Sequence, residues 1–178
     1  MKNPIDRVVS DILNEFSAAQ HKDEIMPDID DIIMGNAGQI QQRGLSGLSL
    51  NEMVFYLSNY TLIYQMVSQV FPRKNIFIVY GDKIVADPLR DIIKVETFLG
   101  LNPFFRQSHF VFPEGGRFPC FKLGEHNLCM DPKHKGREHP TLKRETLNHL
   151  QKHFQPMVDN FFNETGIFLK NFMDKFEN

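Results

Sequence analysis

Residues 75–80, Asn-Ile-Phe-Ile-Val-Tyr, constrain the fold of this chain more than any other stretch. Their core is continuously apolar and β-rich, the pattern of a strand buried on both faces of a parallel sheet, and Gly81-Asp82 closes it. Such a strand needs neighbours, because buried backbone N–H and C=O groups left unpaired cost about 1–3 kcal/mol each. No second run of this kind stands out, while at least four stretches read as helices. The chain also opens on a helix start with no strand ahead of it. The expectation is an α/β domain whose N-terminal strand is missing, with residues 1–178 forming one partial domain.

The helices carry their own signals. Asn3 can cap, Pro4 suits the first helical position, and Asp6 sits where an acidic residue completes a capping-box-like start. Ile5, Val8, Val9, Ile12, Leu13, Phe16 and Ala19 follow at helical spacing. Residues 21–50 are polar, acidic and Gly-rich, and read as loop with one short helix near Asp28–Met34. Met53, Leu57, Tyr60, Tyr64, Val67 and Phe71 predict one long helix, ended by Pro72. Asp87-Pro88 starts the next helix and Gly100 lies past its end. Residues 101–140 are loop-rich, with short strands expected around His109–Phe112 and Phe118–Lys122. A helix from about Thr141 to Phe172, interrupted at Pro156, closes the chain.

Composition narrows the function classes. With 178 residues there is room for one ordinary domain, and 42% hydrophobic with 24% charged residues excludes a disordered or fibrous chain. No run of 18 apolar residues and no charged-then-apolar leader occurs, so neither a membrane span nor a signal peptide is expected in this chain. The net charge of −2 gives no argument for nucleic-acid binding. The charge is uneven, however. Residues 117–153 hold eight Lys and Arg side chains and five of the seven histidines, a composition suited either to a local anion site or to a solvated surface.

Three motifs bear on chemistry. Cys120 and Cys129 bracket a hairpin-like CFKLGEHNLC segment, where they would form a small-loop disulfide in an oxidising compartment or remain as two buried thiols. Cys120, His126, Cys129, His134 and His139 also offer zinc ligands, but their spacing matches no common structural zinc pattern, and no metal is expected. Two Asn-X-Thr sequons, at Asn59 and Asn163, fit a luminal glycoprotein. In KHKGREHP, Gly136 between Lys135 and Arg137 lets the backbone approach a ligand closely, and the flanking cations with His139 can converge on one anion. At the chain start, Lys2 lies just before the first helix and Ser10 two turns into it, so a phosphate there would meet an ammonium, a hydroxyl and the helix dipole. No G-x4-G-K-[ST] loop is present, and no Ser–His–Asp or H-E-x-x-H arrangement stands out.

Taken in order, these pieces resemble the C-terminal part of the heparan sulfate sulfotransferases, nearest to the glucosaminyl 3-O-sulfotransferases. KNPIDRVVSD is similar to the family's RNPxxRxxSDY segment, NIFIVYGDKIVADPLRDIIKVETFLGL to its strand–helix stretch, and FVFPEGGRFPCFK…C…KGREHP to its disulfide-bearing finger and KGRxHP loop. The resemblance implies a P-loop-NTPase-like α/β fold with a parallel sheet. It implies transfer of a sulfuryl group from 3′-phosphoadenosine 5′-phosphosulfate to a glucosamine hydroxyl of heparan sulfate or a related glycosaminoglycan. Lys2 and Ser10 map to the family's 3′-phosphate contacts, Lys replacing an Arg and losing its bidentate fork. Lys135, Gly136, Arg137, Glu138 and His139 map to the loop that wraps the nucleotide, Pro119 to a position beside it, and Cys120 with Cys129 to the family disulfide.

The family's 5′-phosphosulfate loop with its Lys, and the glutamate proposed as catalytic base, lie upstream of the RNP segment. No catalytic residue is therefore expected within this chain, and little turnover. A non-catalytic nucleotide- or glycan-binding remnant is the alternative reading, with Arg117, Lys122, Lys133, Lys143 and Arg144 as the basic residues that a glycan could meet. The family implies the Golgi lumen.

Overall fold

A computed structural model describes residues 1–20, 27–36, 49–115, 118–130 and 138–168. In chain order its elements are α1 (Pro4–Gln20), α2 (Ile29–Met34), α3 (Leu50–Ser58), α4 (Tyr60–Val70), α5 (Gly81–Ala86), α6 (Pro88–Phe98), β1 (Phe110–Val111), β2 (Cys120–Leu123), β3 (His126–Leu128) and α7 (Arg144–Thr165). They form two compact units. One comprises Asn3–Phe71 with His139–Asn178, the other Met1–Lys2 with Pro72–Glu138.

The first unit is helical. Its α1 begins as the sequence reading expects: Asn3 is fully buried, its Oδ1 accepts from the Ile5 N–H at 2.9 Å, and Pro4 takes the first helical position. Ile5, Val8, Val9 and Ile12 form the buried stripe of this helix. That stripe packs against α3, which presents Leu50, Val54 and Phe55, while α7 buries Leu150, Phe154, Val158 and Phe161 and contacts α2 and α4. Two polar side chains lock the helices together. Asn51 Nδ2 donates to the Ile32 and Ile33 carbonyls at 2.7 Å each near the end of α2, where Ile32 also accepts from the Gly35 N–H. Asp30, itself buried, accepts from the Lys143 N–H at 3.0 Å and so caps α7 from a neighbouring helix.

Two expected elements differ. The single helix from Met53 to Phe71 is broken at Asn59, whose φ of −82° and ψ of 84° leave the helical region. Its side chain accepts from the Leu62 N–H at 3.1 Å and caps α4, a local bond that competes with continuing the helix. Conversely, α7 runs through Pro156 without interruption. The proline lies on the exposed side, where the Lys152 carbonyl it leaves without an amide partner can be hydrated.

Phe55 also meets two histidines of α7, edge-on to His153 at 4.5 Å and to His149 at 6.0 Å between ring centroids. The His153 pKa is lowered from 6.5, first by burial and then by the charge of His149. The unfolded chain therefore binds a proton at His153 more readily than the folded one. This contribution to stability is fully present above about pH 6.5 and declines as pH falls toward the lowered folded value. His153→Gln should flatten the dependence of the denaturation midpoint on pH below about pH 6.5. An unchanged slope in that variant would assign the dependence to other groups.

The second unit holds the only sheet among the described residues, three antiparallel strands in the order β1-β2-β3. This departs from the parallel sheet that the sequence predicts. Residues 76–80 belong to no strand among the described residues; the Met1 ammonium donates to the Val79 carbonyl and the Gly81 N–H donates to the Met1 carbonyl. Nor is the segment buried on both faces, since Phe77 is 38% exposed. Gly81, which the sequence reading placed at the close of a strand, begins α5, and a Cβ there would lie 3.0 Å from the Met1 carbonyl oxygen. The α6 helix starts at Pro88, capped by Asp87, as expected. Glu96, buried on α6, accepts from the Phe104 and Phe105 N–H groups at 2.7 and 3.1 Å and holds the following loop.

The β2–β3 hairpin pairs Phe121 with Leu128 and Leu123 with His126, around a two-residue turn in which Gly124 has φ +59°. One step beyond Phe121 and Leu128, Cys120 and Cys129 face each other and are joined by a disulfide. The cross-link should contribute about 2–3 kcal/mol for a loop this short. Reduction, or Cys129→Ser, should lower the opening free energy of the hairpin by that amount, read by hydrogen exchange at 120–128. Unaltered exchange would mean that strand pairing alone holds the hairpin.

Candidate nucleotide site

Asp6 and Ser10 are four residues apart on α1 and share one face of that helix. Opposite them lies His139, in the extended stretch leading into α7, whose start is fastened to Asp30 through Lys143. Ser10 Oγ is 3.0 Å from His139 Nε2, and His139 Nδ1 is 3.3 Å from Asp6 Oδ1. The Asp6 and His139 side chains are 20% and 21% exposed, shielded yet reachable from solvent. Beside them Arg7 pairs with Asp11 at 2.6 Å, so its guanidinium is engaged along the helix.

The sequence reading recognised no Ser–His–Asp arrangement, and the fold assembles one across a separation of 129 residues. It does not have the setting of an acyl-transfer triad. Ser10 sits inside a helix, where backbone N–H groups are consumed by carbonyls four residues back and cannot form an oxyanion hole. What the cluster offers is a polarised hydroxyl and an imidazole side by side, a donor set suited to phosphate oxygens.

Among the residues expected at a nucleotide site, the fold brings Ser10 and His139 together. Lys2, Pro119 and Glu138 belong to the second unit, with Lys2 and Pro119 half-buried and Glu138 exposed. Lys135, Gly136 and Arg137 lie outside the described residues, as do His134, Arg117 and Lys133. Lys122 is exposed on β2, and Lys143 sits 3.8 Å from Asp28. Both thiols of the zinc alternative, Cys120 and Cys129, are consumed by the disulfide. Asp6 was read only as a helix-start residue, and its i, i+4 relation to Ser10 was the available signal that it shares the site.

Comparison with known proteins follows the same residues. The sulfotransferase domain family matches residues 1–166, nearly the whole chain and both segments of the cluster. The chain belongs to that family. This sulfotransferase chain is 36% identical over 99 residues to mouse heparan sulfate glucosamine 3-O-sulfotransferase 3B1, covering 54% of the chain and 25% of that relative. It is 32% identical over 110 residues to mouse heparan sulfate glucosamine 3-O-sulfotransferase 5, covering 61% of the chain and 32% of the relative. With mouse heparan sulfate glucosamine 3-O-sulfotransferase 6 the match is 25% identical over 169 residues, 93% of the chain and 46% of the relative. The sulfotransferase chain thus spans between a quarter and a half of the length of these curated relatives. No helix among its described residues is long and apolar enough to cross a membrane.

Proposed function

We propose that this chain forms the 3′-phosphate side of a sulfotransferase nucleotide site, serving transfer of a sulfuryl group from 3′-phosphoadenosine 5′-phosphosulfate to a glucosamine hydroxyl of heparan sulfate in the Golgi lumen. The observation that carries this reading is the 3.0 Å contact between Ser10 and His139. It joins the end of the RNP-like segment to the end of the KGRxHP-like loop, the two stretches that the resemblance assigns to the nucleotide.

In this reading Ser10 donates to a 3′-phosphate oxygen, Lys2 adds a positive charge, and Lys135 with Arg137 close over the nucleotide, while Gly136 lets the backbone approach it. Glu138 and Pro119 border the nucleotide. The transfer itself is an in-line displacement in which orientation and charge stabilisation dominate, and these residues supply orientation at the end of the nucleotide remote from sulfur. Binding energy gained there holds the reacting end in place.

Selectivity tests the reading. Adenosine 3′,5′-bisphosphate should raise the melting temperature of the chain, and adenosine 5′-monophosphate at equal concentration should raise it far less. Equal shifts from the two nucleotides, or none from either, would contradict a 3′-phosphate site.

A further inference from the structure

We infer that Asn163, and not Asn59, is an N-glycosylation site, its side-chain amide receiving an oligosaccharide from a lipid diphosphate-linked donor. This rests on the luminal placement proposed above and concerns a part of the chain that the nucleotide reading leaves unused.

Asn59-Tyr-Thr61 and Asn163-Glu-Thr165 both satisfy the Asn-X-Thr requirement, so the sequence ranks them equally. The structure separates them. Lys152, Pro156, Asp159, Asn160 and Asn163 fall on one face of α7, and all are exposed. The buried residues Leu150, Phe154, Val158 and Phe161 occupy the opposite face. A sugar on Asn163 Nδ2 therefore extends into solvent and displaces no packed side chain.

Asn59 is held differently. It is half-buried at the α3–α4 junction, where its Oδ1 accepts from the Leu62 N–H at 3.1 Å. Thr61 is buried, and its hydroxyl donates to the Met157 carbonyl of α7 at 2.5 Å. The neighbouring Ser58 and Tyr60 line a crevice with Met157 and Phe161 of α7. An oligosaccharide on Asn59 would be lodged beside this contact, and a chain modified there would not close α4 onto α7. The Cys120–Cys129 disulfide is an independent sign of the compartment, since such bridges persist along the oxidising secretory route.

In the transfer, Asn163 Nδ2 forms a bond to the anomeric carbon of the first sugar and gives up one proton to solvent. The bond from that carbon to the donor's diphosphate breaks, and the lipid diphosphate leaves with the electron pair. Thr165 is buried in the finished fold, where its hydroxyl donates to the Phe161 carbonyl at 2.6 Å. Transfer therefore precedes closure of the last turn of α7.

The test is expression of the whole chain behind a cleavable secretory leader in cultured animal cells, with product recovered from cells and medium alike. Peptide-N-glycosidase digestion in heavy-oxygen water reads the site, because each glycosylated asparagine is converted to a labelled aspartate. The soluble chain should lose the mass of one glycan, with the label at Asn163 and none at Asn59. Asn163→Gln should abolish the mass shift, and Asn59→Ser, which keeps a capping side chain, should leave it intact. An unmodified Asn163, or a soluble chain carrying its glycan on Asn59, overturns the inference. If Cys120 and Cys129 are bridged in that same sample, the luminal reading stands; if both thiols are free, it falls as well.

Discussion

Phe154→Ala is expected to destabilise the helical unit by about 3–5 kcal/mol, the range for removing a fully buried aromatic ring from a packed core. Phe154 is fully buried on α7 and stacks on Phe55 of α3 at 5.5 Å with the rings 8° from parallel. It also lines a narrow crevice with Pro4, Ser58 and Phe161, so α1, α3 and α7 all lean on it. The Ser58 hydroxyl there is buried without a hydrogen-bond partner, which leaves little reserve to absorb a cavity. Because Pro4 starts the helix that carries Asp6 and Ser10, loss of this packing should also loosen the candidate site. Chemical denaturation followed by circular dichroism checks the magnitude, with Phe154→Leu expected to cost much less. A change below about 1 kcal/mol in Phe154→Ala would mean that the three helices do not depend on this contact.

Lys135→Ala combined with Arg137→Ala is expected to weaken binding of adenosine 3′,5′-bisphosphate by about 100-fold or more. Hydrogen bonds to charged groups contribute about 1.5–3 kcal/mol each, and every 1.4 kcal/mol is tenfold. Both residues lie outside the described stretches, two to four positions before His139, in the KGRxHP-like loop. Lys143→Ala supplies the comparison. Its ammonium is 3.8 Å from Asp28 with both side chains more than half exposed, so its removal should change affinity by less than about twofold. If the double variant binds as tightly as the unaltered chain, the nucleotide-covering role of the loop is wrong.

What could be read from the sequence followed the reach of each signal along the chain. The start of α1 was legible because Asn3, Pro4 and the spacing of Ile5, Val8, Val9 and Ile12 act within a few residues of one another. The Asp87-Pro88 start of α6 was legible for the same reason, and so was the Cys120–Cys129 hairpin, whose turn is closed locally. Asn59 misled because apolar periodicity continues on both sides of it, while its capping bond to Leu62 N–H outweighs periodicity at one point. Pro156 misled in the opposite direction: the apolar face of α7, carried by Phe154, Val158 and Phe161, holds the helix together past a missing N–H. The apolar run at 76–80 speaks of side chains and not of partners, and its described backbone bonds go to Met1 and to the adjoining turn and helix, none of them a strand. Asp6, Ser10 and His139 were harder still, because no linear pattern links residues 129 apart. The RNP-like and KGRxHP-like segments could each be recognised alone, and their meeting is a property of the fold.

The central claim is that Ser10 and His139 form the 3′-phosphate end of a nucleotide site. A crystal structure of the chain grown with adenosine 3′,5′-bisphosphate tests it most directly. The account predicts a 3′-phosphate oxygen within hydrogen-bonding distance of Ser10 Oγ, about 2.5–3.0 Å, with His139 still against Ser10 and Asp6. A nucleotide bound elsewhere, or with its 5′-phosphate at Ser10, would contradict it.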